Sequence, residues 1–246
     1  MNMKKVIQIL PPKTSSLLNK YLQLPFRTTK IACPYWVNDL GKGIRGPFSG
    51  KGTPRQIVSA SYKKAKKFKI DLDGLNRREL KKFMEDNRIG LDCSGFVFHL
   101  LNMFDKEKGG NGISNKYLKN TKIPSWRASW KINAEKLSSG EFTRKIRMKD
   151  AMPGDIIRLL AGKHIAFIVE VGKNSITYAH CSNYTKIQGC HLGKILIKDW
   201  KKNLEYQDWT ELTGDESQYK DITYFPNLGD SIMRLKWLEE GKQTVL

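Results

Sequence analysis

The chain has 246 residues, a formal net charge of +20 and 39% hydrophobic residues. That length and apolar content suffice for one full core, and no internal repeat or low-complexity linker divides the chain. No apolar run approaches a membrane span, so the class to explain is a basic globular chain whose positive field suits polyanions.

Residues 1–30 carry Pro11-Pro12 and few regular signals. They read as an N-terminal arm on a single domain spanning 31–246. Met1-Asn2-Met3-Lys4-Lys5 has the charge of a signal-peptide start, but the apolar run 6–10 is too short and the prolines end it. The expected location is therefore the cytoplasm, or the cell wall by a non-classical route. Residues 41–52 form a glycine-rich loop. Thr53-Pro54 supplies an N-cap and a proline at N1, and Ile57, Tyr62, Ala65 and Phe68 follow at helical spacing. Asn76-Arg77-Arg78-Glu79 resembles a capping box leading into Leu80, Phe83 and Met84. Two helices are thus expected between residues 40 and 90.

Asp92-Cys93-Ser94-Gly95-Phe96 opens the next helix. Apolar residues at 96, 97, 100, 101 and 104 share one face, and Asp92 stands at the N-cap position. Cys93 then lies in the first turn, where the macrodipole favours negative charge and lowers a thiol pKa. Downstream, 156–160, 164–171 and 175–181 read as three strands of an antiparallel meander, and 231–238 as a closing strand. The meander sets His164, at the start of one strand, beside His180 near the end of the next. Nucleophilic catalysis needs a thiol, a base within hydrogen-bond reach and a third polar group to orient the base. Cys93, His164 and His180 supply those roles. A neutral His180 cannot balance the charge of a His164 imidazolium as a carboxylate would. His99 and His191 lack such a setting and read as structural or surface residues.

This order of motifs resembles the NlpC family of papain-like cell-wall cysteine peptidases: Asp-Cys-Ser-Gly-Phe, Pro153-Gly154-Asp155 ahead of a strand, a histidine opening the next strand, and a histidine after a Gly-Asn turn. The resemblance spans residues 31–200. It implies Cys93 as nucleophile, His164 as base and His180 as orienting residue. Pro34-Tyr35-Trp36 is similar to the family's upstream Pro-Tyr pair, which implies that Tyr35, Asp92 and Ser94 bind the free amine of a stem peptide. It also implies a papain-like α+β fold, a catalytic helix packed on an antiparallel sheet of about five or six strands, and peptidoglycan peptide fragments as substrate. Two departures stand out. Ala166 replaces the family's usual glycine two positions after the base, and residues 37–91 intervene between the Pro-Tyr pair and the cysteine.

Lysines outnumber arginines 33 to 11, whereas base readers lean on bidentate arginine, and no helix-turn-helix, zinc-finger or RNA-recognition signature occurs. Nucleic acid is therefore set aside as a partner. The lysines at 63, 64, 66, 67 and 69 read as a solvated helix face, or as attraction to an anionic wall or membrane surface. The four cysteines do not form a disulfide framework, and Cys181-x8-Cys190-His191 lacks the paired spacing of a zinc site; no cofactor or metal is expected. The competing readings are a CHAP-type amidase and a catalytically silent basic wall- or nucleic-acid-binding protein. An acyltransferase of the lecithin–retinol type carries its histidine before its cysteine, the reverse of the order here.

Overall fold

Ile, Val, Phe and Tyr recur along the strands of positions 156–196, which build the centre of the fold. The computed structural model describes residues 7–119 and 121–240. Its strands are β1 (Gln8–Ile9), β2 (Thr143–Lys145), β3 (Ile156–Leu159), β4 (His164–Val171), β5 (Ser175–Ser182), β6 (Gly189–Leu196), β7 (Asp208–Trp209) and β8 (Ile232–Leu235). They pair antiparallel in the order β2-β8-β3-β4-β5-β6-β7, with β1 on the end of β4. The result is an α+β fold whose sheet curls into a half-barrel. The sheet is wider than the five or six strands expected, because β1, β2 and β7 add edges of two or three residues, too short to show a period.

Strand alternation divides the side chains between two cores. Ile165, Phe167, Ala179, Cys181 and Cys190 point into the larger one, beneath the helices. Ala166, Ile168, Tyr178 and Ile195 point into the smaller one, closed by Leu204, Trp209, Tyr219 and Tyr224. Val169 keeps to the first core, and a β-bulge between Ile168 and Glu170 flips the parity, so Val171 joins the second.

Among the described residues, the four helices of ten residues or more cover the larger core: α1 (Pro12–Leu22), α2 (Pro54–Phe68), α3 (Arg77–Asp86) and α4 (Cys93–Glu107). α2 and α3 both begin with complete capping boxes, at Thr53/Gln56 and Asn76/Glu79. Ile57, Ala65, Leu80, Phe83 and Met84 are buried, while Phe68 lies exposed. On α4, Phe96, Val97, Leu100, Leu101 and Phe104 are all buried. α1 packs on α4: the Glu107 carboxylate accepts from the Thr14 amide and hydroxyl, each at 2.8 Å, and the Tyr21 ring meets Phe96 edge-on at 5.3 Å. Among the described residues, no helix is long and apolar enough to cross a membrane.

The segment that delivers His164 is held by a buried ion pair. Leu160 and Ala161 both adopt positive φ, at 53° and 54°. Arg158 Nη1 donates to Asp230 at 2.9 Å, and Arg158 Nη2 to the Ala161 carbonyl at 2.7 Å. Asp230 also accepts from the amides of Ala161 and Phe225. Removing the carboxylate strands a largely buried guanidinium and two amides. Asp230→Ala is expected to cost about 3 kcal/mol in urea unfolding; a loss under about 1 kcal/mol, the worth of a surface pair, would show that the clamp holds nothing.

Candidate functional site

Asp92 caps α4 by accepting the Gly95 amide at 2.6 Å, which starts the helix at Cys93. The insertion does not separate Tyr35 from this point. Trp36 N donates to Leu91 O at 3.1 Å, Leu91 N to Pro34 O at 3.0 Å, and Asp92 N to Gly50 O at 2.8 Å. Residues 34–36, 50–51 and 91–92 thus lie side by side. A cleft of about 630 Å³ opens there, lined by Tyr35, Lys51, Asp92, Cys93 and Ser94, with Arg45, Arg127, Lys131 and Lys163 around it.

Lys51 was not singled out by the sequence, yet it organises the cleft. It is 8% exposed. Its ammonium lies 3.0 Å from Asp92 Oδ2, donates to the Ile132 carbonyl at 3.1 Å and contacts Ser94 Oγ. Gly95 makes this approach possible, since a Cβ there would lie 2.9 Å from Lys51 Cα. His99 Nε2 meets the Lys51 carbonyl at 2.9 Å, a structural role. So Asp92 and Ser94, expected to receive a substrate amine, receive the ammonium of the chain's own lysine.

The helix start does not lower the Cys93 thiol. Burial and the neighbouring Asp92 carboxylate raise its pKa to about 12, against the opposing pull of Lys51 and the Ile165 amide. Desolvation outweighs the macrodipole here. A Cys93 thiolate would also repel ionised Tyr35 and Tyr219, whose pKa values burial already raises.

His164 opens β4, one residue before the amide that faces the Cys93 sulfur. Its Nε2 lies 3.2 Å from His180 Nδ1, so the two expected histidines do meet. Burial, and then His180, lower the His164 pKa to about 3. At neutral pH both the thiol and the imidazole are therefore uncharged.

Behind His180 stand His191, which the sequence reads as a structural or surface residue, and Glu211, which it does not single out. The β5–β6 register sets His191 opposite His180, with their Nε2 atoms 2.9 Å apart. Glu211 Oε1 lies 3.1 Å from His180 Nε2 and 2.6 Å from His191 Nε2. Burial would raise the Glu211 carboxyl, but the charge and hydrogen bonds of His180 and His191 hold it well below the usual range. Tyr178 donates its hydroxyl to Glu211 Oε2. Gly193 leaves room for that contact, because a Cβ would sit 2.4 Å from the carboxylate. His180, His191 and Glu211 form a cluster that could hold a metal ion, their ligand atoms all within 4.8 Å of one another. The signal for His191 was present in the hairpin: pairing across 183–188 places 180 opposite 191 and Cys181 opposite Cys190. All four cysteines are buried and free.

No family model, curated protein or solved structure matches this chain.

Two outcomes follow from the electrostatics. Iodoacetamide labelling at Cys93, read by peptide mapping, should keep rising about tenfold per pH unit from pH 8 to 10, because the raised pKa keeps the reactive thiolate scarce; a plateau below about pH 8 would contradict it. Lys51→Met should cost about 3 kcal/mol by uncovering a buried carboxylate. Adding Asp92→Asn, which keeps a good N-cap, should recover at least about 1 kcal/mol of that loss, and strictly additive losses would dissolve the pair.

Proposed function

We propose that the chain is a cysteine peptidase that cleaves an amide bond of a peptidoglycan stem peptide through an acyl-enzyme on Cys93. The observation that carries this reading is the line of contacts from Glu211 through His180 to His164, the residue before the Ile165 amide that faces the Cys93 sulfur, with Cys93 itself lining an open cleft. Each member fixes the proton of the next. Glu211 Oε1 accepts from His180 Nε2, which leaves His180 Nδ1 as an acceptor. That acceptor holds the His164 proton on Nε2, and the lone pair on His164 Nδ1 is the base for the thiol. The charge balance that a second imidazole cannot supply comes from the carboxylate one ring further back.

The burial that keeps thiol and imidazole neutral makes the first step a general-base attack rather than a reaction of a preformed ion pair. His164 takes the Cys93 proton as sulfur bonds to the carbonyl carbon. The Cys93 amide receives the oxyanion, with the Tyr35 hydroxyl as second donor. The imidazolium then protonates the leaving amine, and water activated by the same ring releases the acid. With Lys51 on Asp92 and Ser94, these two residues position the helix start, and the cations around the cleft suit carboxylates on the peptide. A carboxylate reaching the base only through a second histidine favours the peptidase over a CHAP-type amidase.

Mass spectrometry of purified murein fragments tests the proposal. Wild type should cut a stem-peptide amide, Cys93→Ala should give no product, and Glu211→Gln should lower kcat about 10²-fold with KM little changed. Equal product from wild type and Cys93→Ala would overturn the mechanism.

A further inference from the structure

We propose that His180, His191 and Glu211 form a binding site for a divalent transition-metal ion of the Zn²⁺ class. The close convergence of three ligand atoms motivates it, all within 4.8 Å of one another. His191 Nδ1 lies 2.9 Å from the Gly189 carbonyl, so that nitrogen carries the proton and donates it. His191 Nε2 points at Glu211 Oε1 2.6 Å away and at His180 Nε2 2.9 Å away, contacts that a proton on Nε2 bridges in the ion-free protein and a metal ion can take over. Two acceptors at 2.6 Å repel unless a proton or a metal ion lies between them. The third edge of the triangle, His180 Nε2 to Glu211 Oε1, is 3.1 Å. An ion with bonds of about 2.0–2.1 Å reaches all three atoms from one side of their plane, and tetrahedral coordination opens the edges to about 3.3 Å.

The surroundings have the form of a built site. Metal-bound imidazoles and carboxylates are oriented by partners on their far side. His191 has the Gly189 carbonyl, Glu211 has the Tyr178 hydroxyl, and His180 has His164. The residues are buried: His180 is 0% and His191 7% exposed. Two imidazoles and one carboxylate are the donor set of zinc and its borderline neighbours rather than of calcium or magnesium, and they leave a fourth position for water or an anion.

One consequence rests on the peptidase reading. As the ion takes His180 Nε2, the proton there leaves to solvent. The His164 Nε2 proton crosses to His180 Nδ1, and His164 takes a proton from solvent at Nδ1. Its lone pair then lies at Nε2, turned from the thiol, so the loaded protein is an idle form.

Chelator-treated full chain titrated with CoCl₂ tests the site directly. The expected result is one Co²⁺ per chain with the visible d–d bands of a tetrahedral ion, in wild type and equally in Cys93→Ala, and loss of the bands in His191→Gln. Bands that vanish in Cys93→Ala would place the ion on the thiol, and no bands, or equal bands in His191→Gln, would overturn the site. Imidazole ¹⁵N spectra of wild type need no variant to fold: one equivalent of ZnCl₂ should move two Nε2 resonances, and an Nε2 of His191 that stays protonated would show that the cluster holds only a proton. Hydrolysis is read in parallel. At least tenfold slower turnover on zinc loading is expected, and undiminished turnover with the ion bound would overturn the idle form. Absence of turnover in the metal-free protein counts against the peptidase alone, since the cobalt spectrum does not depend on it.

Discussion

The antiparallel ladder through β4, β5 and β6 is the constraint on which the site depends. Its two-residue alternation sends Phe167, Ala179, Cys181 and Cys190 under the helices, while His180 and His191 line up face to face through direct strand pairing. A slip of one residue would bury imidazoles beneath α4 and turn cysteines toward Glu211. The apolar face therefore enforces the polar one: packing against α4 costs nothing extra to specify, yet it sets the distance between every pair of histidines behind the cleft. The bulge after Ile168 reverses the parity at the end of β4, so Val171 turns from the first core to the second.

Electrostatics divides the two halves of the site differently. At the helix start, Lys51 and Asp92 neutralise each other, and burial keeps the Cys93 thiol protonated. At the strand side, burial keeps His164 neutral while Glu211 stays ionised against its own desolvation because two imidazoles contact it. In the proposed mechanism, the charge that balances a His164 imidazolium is stored on Glu211, behind His180. On that proposal the imidazoles transmit it by fixing tautomers, and neither the thiol nor His164 need be ionised before substrate arrives.

What the sequence revealed follows from where local and tertiary signals coincide. The starts of α2, α3 and α4 were legible because Thr53, Asn76 and Asp92 cap helices whose apolar faces are also buried. β4 and β5 were legible from their β-branched runs, and with them the meeting of His164 and His180. α1 was not, because its N-terminus has no side-chain cap. Lys51 sits in a glycine-rich loop and becomes a buried group only through a partner at position 92. Glu211 has no motif at all; it follows β7, whose placement depends on the pairing of Ile195 with Trp209. The expected lowering of the Cys93 pKa failed because a helix position reports the macrodipole and says nothing of the depth at which the first turn is buried.

The most direct measurement is intact-mass spectrometry with peptide mapping on the protein quenched during turnover of a murein stem peptide. The account predicts a transient mass increase equal to the acyl fragment, confined to the peptide that carries Cys93. Turnover with no acyl group on that residue would contradict it.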